Sequence, residues 1–221
     1  MRVTPAAVGK SALPVTSTTG YRLFTNSDRS IVRWNPCKPI HYSANLVQAS
    51  DPEGALADLQ AAVGKVAAAS GLTFVYDGPT TVVPTRAWLD AGGSASGIVI
   101  AYAASGSGAG QSDLYGADAD GEGGWWESGT STNGSQWVWQ IMRGFVVVDP
   151  AQTFSYTAGF GTGATRGALL MHELGHAVGL GHAADQSDVM FPVISASSHA
   201  AWGLGDLRGL ALVGKGAGCI P

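Results

Sequence analysis

The densest chemistry in the chain lies in Met-His-Glu-Leu-Gly-His-Ala-Val-Gly-Leu-Gly-His, residues 171–182. His172 and His176 are four apart, so on a helix both imidazoles leave one face a turn apart. Both can then reach one ion at the roughly 2.0–2.1 Å of a zinc–nitrogen bond. A continuing helix would carry His182 away from that face. Gly179 can take the positive φ that turns the chain back and brings His182 to the ion as a third ligand. Three histidines leave the fourth tetrahedral position to water, the open arrangement of a catalytic rather than a structural zinc. Glu173 sits beside His172 without ligating. It is placed to take a proton from that water as general base and to pass it to a leaving amine as acid.

Histidines at i and i+4 are also common as exposed or hydrogen-bonded structural residues. The joint offsets of Glu173, Gly179 and His182 separate a metal site from that alternative. The element that must carry the ligands is a helix through 166–180, capped by Thr165. Upstream, Ser50 and Glu53 form a capping box for a helix whose apolar stripe is Leu56, Leu59, Val63 and Val66 and whose end is Ser70-Gly71. Strands are expected at 40–46, 72–78, 96–103 and 137–149. The run 96–103 is apolar enough to be central and buried on both faces. Residues 104–135, dominated by Gly, Ser and Asp, read as one long loop, and 204–214 as a short last helix. Strand, helix, strands, helix, helix is an α+β order. The start of 136–149 is the strand expected at the edge of the sheet.

Eight residues beyond His182 comes Met190, in Ser-Asp-Val-Met-Phe-Pro at 187–192. Together with H-E-x-x-H-x-x-G-x-x-H, this resembles the metzincin metallopeptidases, and among them the matrixin group and its bacterial relatives. The resemblance covers about residues 37–215 and implies a zincin-like catalytic domain. Its parts are a twisted mixed sheet with one antiparallel edge strand, a long packing helix, the zinc-binding helix, a Met-turn and a C-terminal helix. It implies one catalytic Zn2+, hydrolysis of peptide bonds in protein or peptide substrates, and Met190 as a structural floor beneath the imidazoles. Phe191 to Trp202 would wall the pocket for the side chain just past the cut. Asp206-Leu207-Arg208-Gly209 is similar to the family's Asp-x-x-Gly, with Gly205 where a further Asp is usual. Asp206 either braces the Met-turn or is a solvated acid in the first turn of a helix. Two features depart from animal matrixins. Cys37, in Asn-Pro-Cys-Lys-Pro-Ile-His, lacks the flanking pattern of their zinc-blocking cysteine. The loop before the edge strand lacks the histidines of their second, structural zinc.

The rest of the composition bounds the reading. A chain of 221 residues with 45% hydrophobic content supports one domain, taken as 31–221, with 1–30 as a flexible arm or pro-segment remnant. A net charge of −4, with 12 Lys and Arg spread thinly, offers no basic surface for nucleic acid or an anionic membrane. No apolar run approaches the roughly 18–20 residues of a membrane span, and a monomer is expected. No signal peptide is visible at the start. Extracellular location is inferred from Cys37 and Cys219, whose placement suits one disulfide tying the ends of the domain, two buried free thiols being the alternative. Asp113, Asp118, Asp120 and Glu122 are candidate Ca2+ ligands, but their spacing fits no EF-hand and a solvated loop is preferred. Trp125 and Trp126 read as a patch folding that loop down in preference to a substrate contact, and His41 and His199 as structural or surface residues. The rival functions are a non-catalytic zinc-binding recognition protein, which would have no need of Glu173, and a zinc hydrolase of another amide such as cell-wall peptide.

Overall fold

The computed structural model describes residues 3–8, 20–25, 30–91, 97–132 and 136–220. In chain order the elements are β1 (Val3–Val8), β2 (Arg22–Leu23), β3 (Ile40–Asn45), α1 (Pro52–Ser70), β4 (Phe74–Pro79), α2 (Arg86–Asp90), β5 (Gly97–Tyr102), β6 (Gly121–Thr132), β7 (Gln136–Val148), α3 (Arg166–Ala177), β8 (Leu180–Gly181) and α4 (Leu204–Val213). The large sheet runs β1-β6-β7-β5-β3-β4. β4, β3, β5 and β7 are mutually parallel, while β6 runs antiparallel to β7 and β1 antiparallel to β6.

α1 starts at Asp51, whose carboxylate accepts from the Gly54 amide at 3.1 Å. The expected cap was Ser50. Pro52 explains the shift: its fixed φ and missing N–H suit the first helical position, so the residue just before it must cap. Gly71, at φ 72°, closes the helix with its amide on Ala67 O. Leu59, Val63 and Val66 are fully or nearly fully buried, and Leu56 is partly buried. They join Ile40, Tyr42, Ile98, Ile100 and Val146 of the sheet and Leu170, Met171 and Leu174 of α3 in the main core. α1, α3 and α4 all lie on that face. A second cluster, Leu89, Leu114, Tyr115, Phe145, Val147 and Trp126, fills the other face. β5 is interior in the sheet order, as expected; its Ile98, Ile100 and Tyr102 enter the main core, whereas Gly97 and Val99 on its other face are only half-buried, so burial on both sides is incomplete.

Two expectations are corrected. Residues 104–135 are not a single loop: their second half is β6, paired with β7 along its length. β7 is interior, with β5 on one flank and β6 on the other, so the strand that runs antiparallel beside it is β6. Gly121, Gly123 and Gly124 lower strand propensity, yet at Gly123 the missing β-carbon is what lets the backbone of α3 approach at Glu173. Strand alternation sends Trp125 into the main core, edge-on to Phe24 at 4.5 Å, and Trp126 into the second cluster.

Cys37 and Cys219 form a disulfide across 182 residues. Asn35 supports it, accepting from the amides of Cys37 and Ile220 and donating to Ile220 O. Closing so long a loop contributes up to about 5 kcal/mol in the chain-entropy model. Cys37→Ser/Cys219→Ser is expected to lose about 2–5 kcal/mol of stability, read as a lower urea midpoint with an unchanged native spectrum. An unchanged midpoint would contradict this.

Candidate metal centre

α3 is apolar nearly all round because it is enclosed by α1, β6 and β7, and every residue from Gly167 to Ala177 is buried. Thr165 caps it, its side chain accepting from Ala168 N at 3.1 Å. At the other end the amides of Val178 and Gly179 bond to Leu174 O and His176 O. Gly179 takes φ +112°, and a β-carbon there would lie 2.8 Å from Val32 O, so both conformation and space require glycine. The chain reverses into β8, which pairs with β2, and delivers His182 back to the helix.

One nitrogen each from His172, His176 and His182 lies within 4.8 Å of the others, the only such group of possible metal ligands among the described residues. The Nδ1 atoms of His172 and His176 face Val189 O and Leu180 O, both at 2.7 Å. A carbonyl only accepts, so each Nδ1 carries the proton and each Nε2 presents a bare lone pair. Those two Nε2 atoms are 3.0 Å apart, and Nε2 of His182 is buried without a partner. Lone pairs so close repel unless a cation sits between them, so these residues fit a metal ion. Burial drives the imidazoles further toward the neutral, ligating form. It holds His172 at about 3, with His182 adding to the shift, and His182 at about 4, with Arg22 adding. Burial and the other two rings hold His176 well below its usual value.

Met190 is buried beneath the triad against Gly175, where a β-carbon would sit 2.3 Å from its Sδ. The turn that carries it is tied by Ala183 N to Met190 O at 2.8 Å. Asp206, 1% exposed, accepts from the amides of Val189 at 2.6 Å, Met190 at 3.2 Å and Gly203 at 3.1 Å. Of the two readings of Asp206, the brace is what the geometry shows. Since Val189 O orients the His172 ring, the carboxylate acts on the triad through one residue. Asp188 accepts from Gly205 N, and a β-carbon at Gly205 would lie 1.8 Å from Gly20 O, so there is no room for the Asp usual in matrixins. Asp206→Ala would leave several buried amides unpaired, costing about 2–4 kcal/mol. Burial and the Asp188 charge raise the Asp206 pKa to about 7, against the pull of the amides. A raised folded pKa means its bound proton stabilises fully below the unfolded value near 4, and that contribution is lost as pH rises through about 7. Urea unfolding at pH 5 and pH 8 should therefore show a downward slope that Asp206→Ala flattens.

Glu173 is fully buried, and neither carboxylate oxygen has a hydrogen-bond partner. Burial raises its pKa well above the ordinary value, and the Glu122 carboxylate raises it further. β6 presses close: a β-carbon at Gly123 would lie 2.1 Å from Glu173 O, and one at Gly121 3.3 Å from Glu173 Oε1. Glu122, expected in a solvated loop, is instead 1% exposed in β6 with both oxygens unpartnered, and burial lifts it to about 8. Glycines at 121 and 123, alternating on one face, were the signal for a close-packed strand here.

The four acidic calcium candidates are not brought together. Asp113 accepts from Arg86 N, Asp120 accepts from the Tyr156 hydroxyl, and Glu122 is buried in the sheet. His41 pairs with Asp77 at the surface, far from the triad in role and setting. His199 bonds Thr162 at 3.0 Å and lines a small recess with Ala168, Val189, Phe191, Val193 and Ile194.

A mixed sheet with one strand reversed beside the metal-binding helix, and a buried methionine turn under that helix, define the metzincin class. The chain belongs to the matrixin family: the family model described as Matrixin (Peptidase M10) matches residues 98–210, from β5 through most of α4 and half of the chain. The family implies zinc at the triad. Similar solved structures include metalloproteinase-II from Bacteroides fragilis, at 12% identity and a TM-score of 0.42, over 89% of this chain and 58% of that one. This chain thus spans little more than half of that protein. No curated protein matches it.

Proposed function

We propose that the protein is a secreted zinc endopeptidase that cuts protein substrates lying extended along the outer edge of β6, with 31–221 as its catalytic domain. The observation that carries this is the convergence of three imidazole nitrogens beside a buried carboxylate that no side chain pairs. His172, His176 and His182 would hold the ion. When bound, zinc supplies Lewis acidity, lowering the pKa of water to about 7 and polarising the scissile carbonyl. Glu173 does the proton work. It takes a proton from the attacking water and gives it to the amide nitrogen as the C–N bond breaks. Met190 supports the ligand helix from below.

Secretion is supported by the Cys37–Cys219 disulfide, which persists in oxidising compartments. Among the described residues no helix is long and apolar enough to cross a membrane. A non-catalytic zinc protein is the weaker reading, because burying an unpartnered carboxylate costs stability and a scaffold would gain nothing from it. The test measures metal content and casein cleavage on one sample, with chelator and with zinc restored. One zinc per chain and cleavage that follows the zinc is expected. Bound zinc with no cleavage of any protein substrate would overturn the peptidase reading.

A further inference from the structure

We propose that the N-terminal strand competes for the substrate edge: β1 holds the outer side of β6 and must leave before a peptide can lie across the metal centre. This rests on the endopeptidase reading above, which needs that edge free.

The register makes the conflict specific. β1 runs antiparallel to β6 with Val8 opposite Gly121, Ala7 opposite Glu122, Ala6 opposite Gly123, Pro5 opposite Gly124, Thr4 opposite Trp125 and Val3 opposite Trp126. The inner side of the same six residues is already paired with β7. Gly121 and Gly123 are the β6 residues packed against Glu173, so residues 6–8 lie in register with the stretch nearest the proton-transferring carboxylate. A strand has two hydrogen-bonding sides and no third, so a peptide adding here must displace β1.

The arm is attached a second time. β2 pairs Arg22 with Gly181 and Leu23 with Leu180, just before His182, and Gly20 packs on Gly205 of α4. The two attachments bracket the triad, one at the sheet edge by Glu173 and one at the loop carrying the third histidine. β1 suits a hold that can be released. It has six residues, only two of them large and apolar, and Pro5 offers no N–H to the ladder. Tethering compensates, because a strand carried on the same chain is presented at an effective concentration on the order of millimolar, enough to outcompete dilute substrate. Among the described residues no strand covers the opposite edge of the sheet, β4, which is blunted by Pro79. Covering of edges is thus not general in this sheet but falls on the one beside the metal centre.

A competing strand changes KM and leaves kcat alone, whereas a merely structural strand does neither in that pattern. The test uses the zinc-loaded full chain, its Ala6→Pro/Ala7→Pro variant, and a chain lacking residues 1–8. The two prolines fall on adjacent residues, whose N–H groups point to opposite sides, so one of them removes an N–H bonded to β6 whatever the ladder phase. Hydrogen exchange should be at least tenfold faster at the β6 amides that face β1. KM for an internally quenched peptide should fall at least tenfold with kcat within twofold. A synthetic peptide of residues 1–12 should restore inhibition of the shortened chain, competitively with substrate. Unchanged exchange, or faster exchange with unchanged KM, overturns the proposal. If no form cleaves the substrate, binding of the labelled 1–12 peptide decides. Binding to the shortened chain but not the full one upholds edge competition while the peptidase reading falls, and equal binding to both overturns the competition. If the double variant does not fold, the single Ala6→Pro and Ala7→Pro chains replace it.

Discussion

Glu173→Ala is expected to bind one zinc per chain and to lose about 10²–10⁴-fold or more of kcat, the range of a general acid–base group. The separation of the two effects follows from geometry. The ligand nitrogens belong to His172, His176 and His182, and their orientation is fixed by Val189 O, Leu180 O and the Gly179 turn, none of which Glu173 contributes. The substitution removes a carboxylate that ties no other element in place beyond a weak approach of the Gly123 amide. KM should move little, because the lost interaction is with a proton in flight and not with bound substrate. Atomic absorption on the same preparation used for kinetics makes the check: a zinc-loaded Glu173→Ala chain that keeps even a tenth of the activity would remove Glu173 from the mechanism. Glu173→Gln sharpens it, keeping shape while abolishing the proton transfer.

How much was legible depended on whether a feature is local. The triad, Thr165 and Gly179 could be read because each is a short-range pattern whose residue type answers a nearby geometric need, while Met190 was legible only through the resemblance to the metzincins. The structure does bring the three histidines together, turn the chain at Gly179 and bury Met190 against Gly175. The disulfide was legible because two cysteines leave one pairing. What failed was tertiary. β6 is written in glycines that look like loop, yet they are selected by the approach of α3 and not by strand propensity. Mistaking β6 for loop then made β7 the edge strand and Glu122 a solvated acid. Asp206 could not be assigned between brace and solvated acid, since its burial depends on a turn sixteen residues away. β1 had no signal at all: Val-Thr-Pro-Ala-Ala-Val has too few strand formers, and its pairing exists only because β6 presents a free side.

Removing the metal is expected to destabilise the fold as well as silence it. The Nε2 atoms of His172 and His176 lie 3.0 Å apart and that of His182 is buried with no protein partner, so loss of a cation would leave three lone pairs facing one another. The rings cannot relieve this by protonating at neutral pH, because burial, the first cause for each, keeps all three pKa values low. Nor can they easily rotate, since Nδ1 of both helix histidines is committed to a backbone carbonyl. An ion that binds only the folded chain stabilises it by mass action, about 4 kcal/mol when its concentration is a thousandfold above Kd. For a domain of this size that corresponds to a rise in Tm on the order of 10 °C. Chelation should lower Tm by that amount and stoichiometric zinc should restore it, while His182→Ala should lose most of the zinc-dependent rise. A Tm indifferent to chelator and zinc would mean that the three imidazoles are not holding an ion that the fold depends on. The same experiment on the Glu173→Ala chain should give the wild-type shift, because the stability rests with the ligands and the reaction with the carboxylate beside them.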